Sequence, residues 1–292
     1  MKVDTSHQHD GKMYELEEVT NYLNQKGIRI LGGRVDFYRK ILELFAGNAQ
    51  LSNEEAWALA ELRELRVIVH AAKANQVIAD GLRRCLKGAP LMQDETAENS
   101  GNAGRNYSFE LCVASKMTIL GSNASIPEFG TEADVEFSCQ GKKIPVECKR
   151  LYSPDKAAEI MQNGYSQVSK RVAAGEFGIA AISLTRALWS DMSMEIADSL
   201  EKARMATEEL YAQWTSDMVN LLDRYPKVAL IYIHAQIPFV GKNGSYSVYE
   251  REFLRTRTAY ETLPEAPIVD EFEQLMTRVG IESAIASQAA AL

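Results

Sequence analysis

The residues with the clearest chemical capacity lie in two segments, Glu132-Ala-Asp134-Val-Glu136-Phe and Ile144-Pro-Val-Glu147-Cys-Lys149-Arg150. Gln140-Gly141-Lys142 between them has turn composition, so 133–139 and 143–151 read as the strands of a hairpin. Side chains alternate across a strand. Glu147 and Lys149 therefore share one face, while Val146 and Cys148 share the other, where a core would sit. Hairpin pairing brings the Asp134 carboxylate within reach of Glu147. Two clustered carboxylates repel unless a cation sits between them, and oxygen ligands of this kind suit Mg2+ or Mn2+. A neighbouring ammonium can hold a water or stabilise charge on a phosphate. The same residues also fit a plain cross-strand ion pair of Glu147 and Lys149 with Asp134 or Glu136, worth about 0.2–1 kcal/mol.

These side chains need elements to hold them. From residue 105 to 120 the sequence reads as a compact apolar helix ended by Gly121, with Glu110 its only acidic residue. After the hairpin comes a helix over 154–174, stopped near Gly175, and then 178–184, an apolar run with the character of a buried strand. On that helix Ala157 or Ala158, Met161, Tyr165, Val168 and Val172 form the core stripe, and Ile160, Gly164, Gln167 and Arg171 the adjoining one. A long helical stretch over 192–222 precedes a second buried strand at 228–233. Pro264 and Pro267 then bracket a linker before a short helix over 269–279 and an Ala-rich tail that should fray.

Upstream, residues 13–86 read as a helical preface. One segment runs to Gln25, another follows Gly32-Gly33, and a third opens at Ser52-Asn53 with Glu54 and Glu55 in its first turn. In the third segment Leu59, Leu62, Val69 and Ala72 make an apolar stripe. Glu61, Arg63, Glu64 and Arg66 interleave with it, which predicts a half-exposed helix whose polar face needs no ligand. The stretch 93–104 lacks large apolar residues and reads as a linker. The expected organisation is an N-terminal helical region (1–100), an α/β core (105–262) with a helical insertion at 190–225, and a C-terminal linker, short helix and tail (263–292).

Asp134, a gap of twelve residues, then Glu147-Cys-Lys149 resembles the PD-(D/E)xK nuclease superfamily, over about eighty residues of this chain. The resemblance implies a mixed-sheet core flanked by helices, built as helix, three-strand meander, helix and strand. It implies metal-assisted hydrolysis of a phosphodiester, with DNA as the expected substrate. Asp134, Glu147 and the Cys148 carbonyl would hold Mg2+ or Mn2+, and Glu110 would hold a second cation or a metal-bound water. Lys149 would act on the attacking water or the developing charge, and Gln167 would position nucleophile or substrate. Arg150, Lys170 and Arg171 would meet phosphates. Ala133 stands where the family name has proline. The motif Asp/Glu-x-Lys also occurs at Asp10-Gly-Lys12, without strand context.

The chain has 32 Lys+Arg against 40 Asp+Glu, a formal charge of −8, so a uniformly basic nucleic-acid-coating surface is excluded. Charge is nevertheless uneven. From Lys142 to Arg171 there are seven Lys/Arg and three Asp/Glu, a positive island of the kind that draws phosphates toward an acidic site. The acidic remainder suits a protein partner. Superfamily resemblance implies a helicase or translocase, as in bacterial defence and repair, and leaves open both an oligomer and a catalytically inactive DNA-binding or assembly module. No apolar run reaches membrane-span length, and Cys85, Cys112, Cys139 and Cys148 form no CxxC pair. The expectation is a cytoplasmic protein with reduced thiols.

Other candidates are weaker. His7 and His9 sit in a polar, terminal segment; His70 and His234 lack spaced zinc partners and read as structural. Gly241-Lys-Asn-Gly244 is a turn rather than a phosphate loop. The run from Tyr246 to Arg257 mixes aromatics with Arg251, Arg255 and Arg257, which fits either stacking on single-stranded nucleic acid or an amphipathic element.

Overall fold

The computed structural model describes residues 4–9, 12–46, 51–88, 91, 101–127, 133–192, 195–240, 246–257 and 260–278. They form an α/β fold whose seven-stranded mixed sheet is flanked by helices. The strands are β1 (Asp4–His9), β2 (Ala124–Ser125), β3 (Val135–Cys139), β4 (Lys142–Arg150), β5 (Gly178–Ser183), β6 (Val228–Val240) and β7 (Tyr246–Thr256). Their order across the sheet is β1-β7-β6-β5-β4-β3-β2. Strands β4, β5 and β6 run parallel, and the remaining pairs are antiparallel.

The hairpin arises as its composition dictates. Cys139 pairs with Lys142, leaving a two-residue turn in which Gln140 (φ 48°) and Gly141 (φ 77°) both take left-handed backbone, the geometry that matches strand twist. After β4 the chain crosses through α6 (Ala157–Arg171) to β5, as a parallel neighbour requires. Ala157, Met161, Tyr165 and Val168 of α6 are buried against Ala180 and Ile182 of β5.

Helix α5 (Gly101–Ile119) covers the opposite face, with Phe109, Val113, Ala114 and Met117 packed on Val135, Val146, Cys148 and Ala181. Helix α9 (Ala266–Arg278) joins that layer through Val269 and Phe272, whose ring meets Phe137 edge-on. Helices α7 (Thr185–Asp191) and α8 (Leu200–Arg224) cover β6 and β7 on the α6 side. Of the helical stretch expected over 192–222, α8 supplies the part from Leu200; α7 lies ahead of that stretch, and between the two Ala197 bridges to Phe239.

The N-terminal helices α1 (Lys12–Gln25), α2 (Arg34–Ala46), α3 (Asn53–Ala72) and α4 (Gln76–Cys85) share one apolar cluster with Tyr107, Leu111, Cys112 and Ile119 of α5. Ser52 and Glu55 close a reciprocal capping box at the start of α3. The linker expected at 93–104 lies outside the described residues as far as 100, and α5 starts at Gly101.

Two expectations fail for identifiable reasons. Residues 4–9, read as a polar tail, pair with the outer edge of β7, an attachment made by backbone groups that demands no apolar pattern. Glu61, Arg63 and Arg66, read as a half-exposed face of α3, are buried, because α3 lies between other elements and its charges find partners there. The Asp10-Gly-Lys12 repeat of the motif, Gly241–Gly244 and the Ala-rich tail fall wholly or mainly outside the described residues. All four cysteines are buried free thiols, and no helix among the described residues is long and apolar enough to cross a membrane.

Candidate active site

Register places the acids. Val135 pairs with Val146, so Asp134 enters the hairpin opposite Glu147. Its Oδ2 accepts the backbone N–H of Cys148 at 2.8 Å, fixing the carboxylate at that end of β4. Glu147 points away from Cys148 toward α6 and is completely buried. Lys149 emerges on the same face, and its Nζ lies 3.7 Å from both Asp134 Oδ2 and Glu147 Oε2 and 3.1 Å from the Cys148 carbonyl oxygen. An ammonium therefore stands among the three groups that the motif assigns to a metal.

Helix α6 shapes the other wall. A Cβ on Gly164 would come within 3.2 Å of Lys149 Cγ, so glycine at this position makes room for the lysine stem. Gln167 lies one turn on, half-buried, and its Oε1 accepts no hydrogen bond among the described residues. Arg171 lies a further turn along, its Nε 2.9 Å from Glu147 Oε1. The residue assigned to phosphate is thus paired with a candidate ligand. Lys170 beside it is exposed.

Glu110 approaches from α5, half-buried, and its charge interacts with those of Asp134, Lys149 and Glu147. Burial, reinforced by Asp134, pushes its carboxyl up to about 7. Glu147 is raised to about 7 for the same two reasons, against the opposing pull of Lys149 and Arg171. Arg171 alone meets Glu147 Oε1, and Oε2 accepts no hydrogen bond from the described residues. Burying a carboxylate this way costs several kcal/mol, as a rough scale, unless a cation or donor meets it. Glu136 stays outside the cluster, paired with Lys143 at 2.8 Å on the hairpin surface. Arg150 flanks the site on the α5 side, 3.5 Å from Asn106 Oδ1 and over the Tyr152 ring.

The three acids do not close on a single point. Among the described residues, one trio of His, Cys, Asp or Glu has ligand atoms within 4.8 Å of one another, and it is His234, Glu250 and Glu252. These residues are brought together by the β6–β7 register, in which His234 faces Glu252. His234 Nε2 lies 2.9 Å from Glu250 Oε1. Lys116 of α5 reaches into the trio, donating to Glu250 at 2.7 Å and to Glu252, while Tyr232 donates to Glu252 at 2.5 Å. A metal could bind these ligand atoms only by displacing an ammonium that already neutralises them.

Sequence reasoning missed this second cluster. Its signal was the alternation in Tyr249-Glu250-Arg251-Glu252, which puts both glutamates on one face of a strand and both flanking residues on the other. Arg251 and Arg255, considered above for nucleic-acid stacking, face α8 instead: Arg251 binds Glu208 at 2.8 Å and Arg255 lies over the Tyr211 ring. Comparison of the chain with protein-family models, with curated proteins and with solved structures finds no match.

Proposed function

We propose that the chain is a metal-dependent nuclease of PD-(D/E)xK type, hydrolysing phosphodiester bonds of DNA at the Glu110–Asp134–Glu147–Lys149 site. The single observation that carries this reading is Glu147, a fully buried carboxylate met at one oxygen by Arg171 at 2.9 Å, with the Lys149 ammonium 3.7 Å from both it and Asp134. The order α5-β2-β3-β4-α6-β5 supports it, being helix, three-strand meander, helix and parallel strand.

The donor chemistry of these residues, though not closed on one point, suits a hard divalent cation. Asp134, Glu147 and the Cys148 carbonyl supply oxygen ligands and Glu110 a further one, and burial beside Asp134 raises the Glu147 and Glu110 carboxyls, so that a cation binding there would favour their charged forms. When bound, such an ion would supply Lewis acidity toward a phosphate and a more acidic water. Asp134 is held in place by the Cys148 N–H. Lys149, its stem seated on Gly164, presents its ammonium to the water or to charge developing on the phosphate. Gln167 offers an unused amide oxygen to orient nucleophile or substrate.

Linear, circular and single-stranded DNA and RNA incubated with Mg2+, Mn2+ or EDTA test the proposal. DNA cleavage should require the metal and fall about 100- to 1000-fold in Lys149→Ala. Cleavage by Lys149→Ala at the wild-type rate would remove this segment from the reaction. A second reading, a binding or assembly module without activity, is favoured by one observation: Arg171 already sits on Glu147. DNA binding without cleavage in any metal would select it.

A further inference from the structure

Arg171, the last residue of α6, reaches from solvent to a buried acid. Its Nε lies 2.9 Å from Glu147 Oε1, and among the described residues its guanidinium has no ion-pair or hydrogen-bond partner other than Glu147. The side chain is 26% exposed, although the carboxylate it touches is completely buried. A guanidinium is planar and carries five donors in a fixed fork, so one edge can hold a carboxylate while the remaining donors face solvent. Glu147 divides its oxygens in a corresponding way. Oε1 goes to Arg171, whereas Oε2 lies 3.7 Å from the Lys149 ammonium, which is equally close to Asp134 Oδ2. The Arg171 pair therefore leaves Oε2, beside the ammonium that Asp134 shares, uncommitted to a hydrogen bond.

We infer that Arg171 is a positioning residue shared by the two ligands of the site: one edge of its guanidinium orients Glu147 for a divalent cation, and its remaining donors take a backbone phosphate of DNA on the α6 side. The inference rests on the nuclease reading and deepens it, because the pair with Glu147 then belongs to the working site rather than blocking it. Lysine could not perform both tasks, being a compact point charge without a fork. Neighbouring groups favour the phosphate contact. Lys170 is exposed beside Arg171, and Gln167 lies one turn before it with an unused amide oxygen. A cationic edge at this place also lets a polyanion approach a centre built from acids.

DNA affinity of the full chain, with a labelled duplex and EDTA present so that nothing is cut, tests the phosphate contact. From about 50 to 200 mM salt, Arg171→Gln should lower the slope of log affinity against log salt by about 1, and Arg171→Lys should retain it. Calorimetric titration of Mn2+ without DNA reads the other edge: Arg171→Lys keeps the charge but not the fork, so Mn2+ affinity should fall about tenfold. In the unmutated protein, an arginine-specific reagent read by mass spectrometry should find Arg171 protected by DNA and no more reactive when Mn2+ alone is added, which needs no variant to fold. A slope unchanged in Arg171→Gln or lost in Arg171→Lys, full Mn2+ affinity in Arg171→Lys, an Arg171 unprotected by DNA, or one made more reactive by Mn2+ would overturn the inference while leaving the nuclease reading intact. Failure of the unmutated protein to bind Mn2+, or to bind DNA at the lowest salt, would overturn both.

Discussion

Two clusters of buried charge, both involving α5, are built on opposite principles. The Glu61 carboxylate is met on both oxygens: Arg34 donates at 2.7 Å, Arg105 at 2.5 and 3.1 Å, and the Tyr38 hydroxyl completes the set. Burial alone would raise the Glu61 carboxyl, yet two guanidiniums pull it down to about 2. Around Glu147 the balance is reversed. Its neighbours include another acid, its cations are a single guanidinium at 2.9 Å and an ammonium at 3.7 Å, and its carboxyl sits at about 7. A saturated network resists change and holds helices together, whereas an unsaturated one has capacity left for a ligand.

The largest expected effect follows from the saturated side. Glu61→Ala leaves Arg34 and Arg105 buried without their counter-charge and should destabilise the fold by about 3–5 kcal/mol, read by urea denaturation. If the loss were under about 1 kcal/mol, the Glu61 cluster would not be the structural anchor described.

Next in size is a pH dependence on the unsaturated side. Glu110 and Glu147 are carboxyls whose folded-state pKa is raised, so the stability they confer is full below about 4.5 and is lost as pH rises through about 7. Metal-free protein should therefore melt lower at pH 8 than at pH 5.5, and Glu147→Gln should flatten that difference. Mn2+ reverses the trend because it binds the deprotonated acids, so the rise in melting temperature it produces should be greater at pH 8 than at pH 6. Equal rises at the two pH values would argue against these acids as ligands.

The smallest effect separates the third cluster. Lys116 already supplies the cation for Glu250 and Glu252, so Glu250→Gln should leave the Mn2+ response unchanged while costing stability. Thermal melts with and without Mn2+ check this.

Much of the candidate site was legible because it depends on local rules. Strand alternation separated Glu147 and Lys149 from Val146 and Cys148, the Gln140-Gly141 turn set the register that brings Asp134 opposite Glu147, and helical spacing aligned Gly164, Gln167 and Arg171. What escaped depends on packing between distant elements. A charged stripe such as Glu61-x-Arg63 reads as solvated whenever its partners, here Arg34 and Arg105, lie 27 and 44 residues away. The pairing of β1 with β7 uses backbone groups, on which side-chain patterning is silent. The late start of α8 at Leu200, rather than near 192, goes with a strand-like bridge from Ala197 to Phe239, again a tertiary event. Arg171 spans both cases: its helical position was readable, but its pairing with Glu147 required the folded distance.

The proposed nuclease function requires a cation at the Glu110–Asp134–Glu147 cluster rather than at His234, Glu250 and Glu252. Calorimetric titration of Mn2+ into the full chain at pH 7.5, repeated with Glu147→Gln and Glu250→Gln, tests it most directly. Binding with proton release is expected for the unmutated protein and for Glu250→Gln, weakened at least about tenfold in Glu147→Gln. Binding that survives Glu147→Gln and disappears in Glu250→Gln would place the ion with His234 and contradict the account.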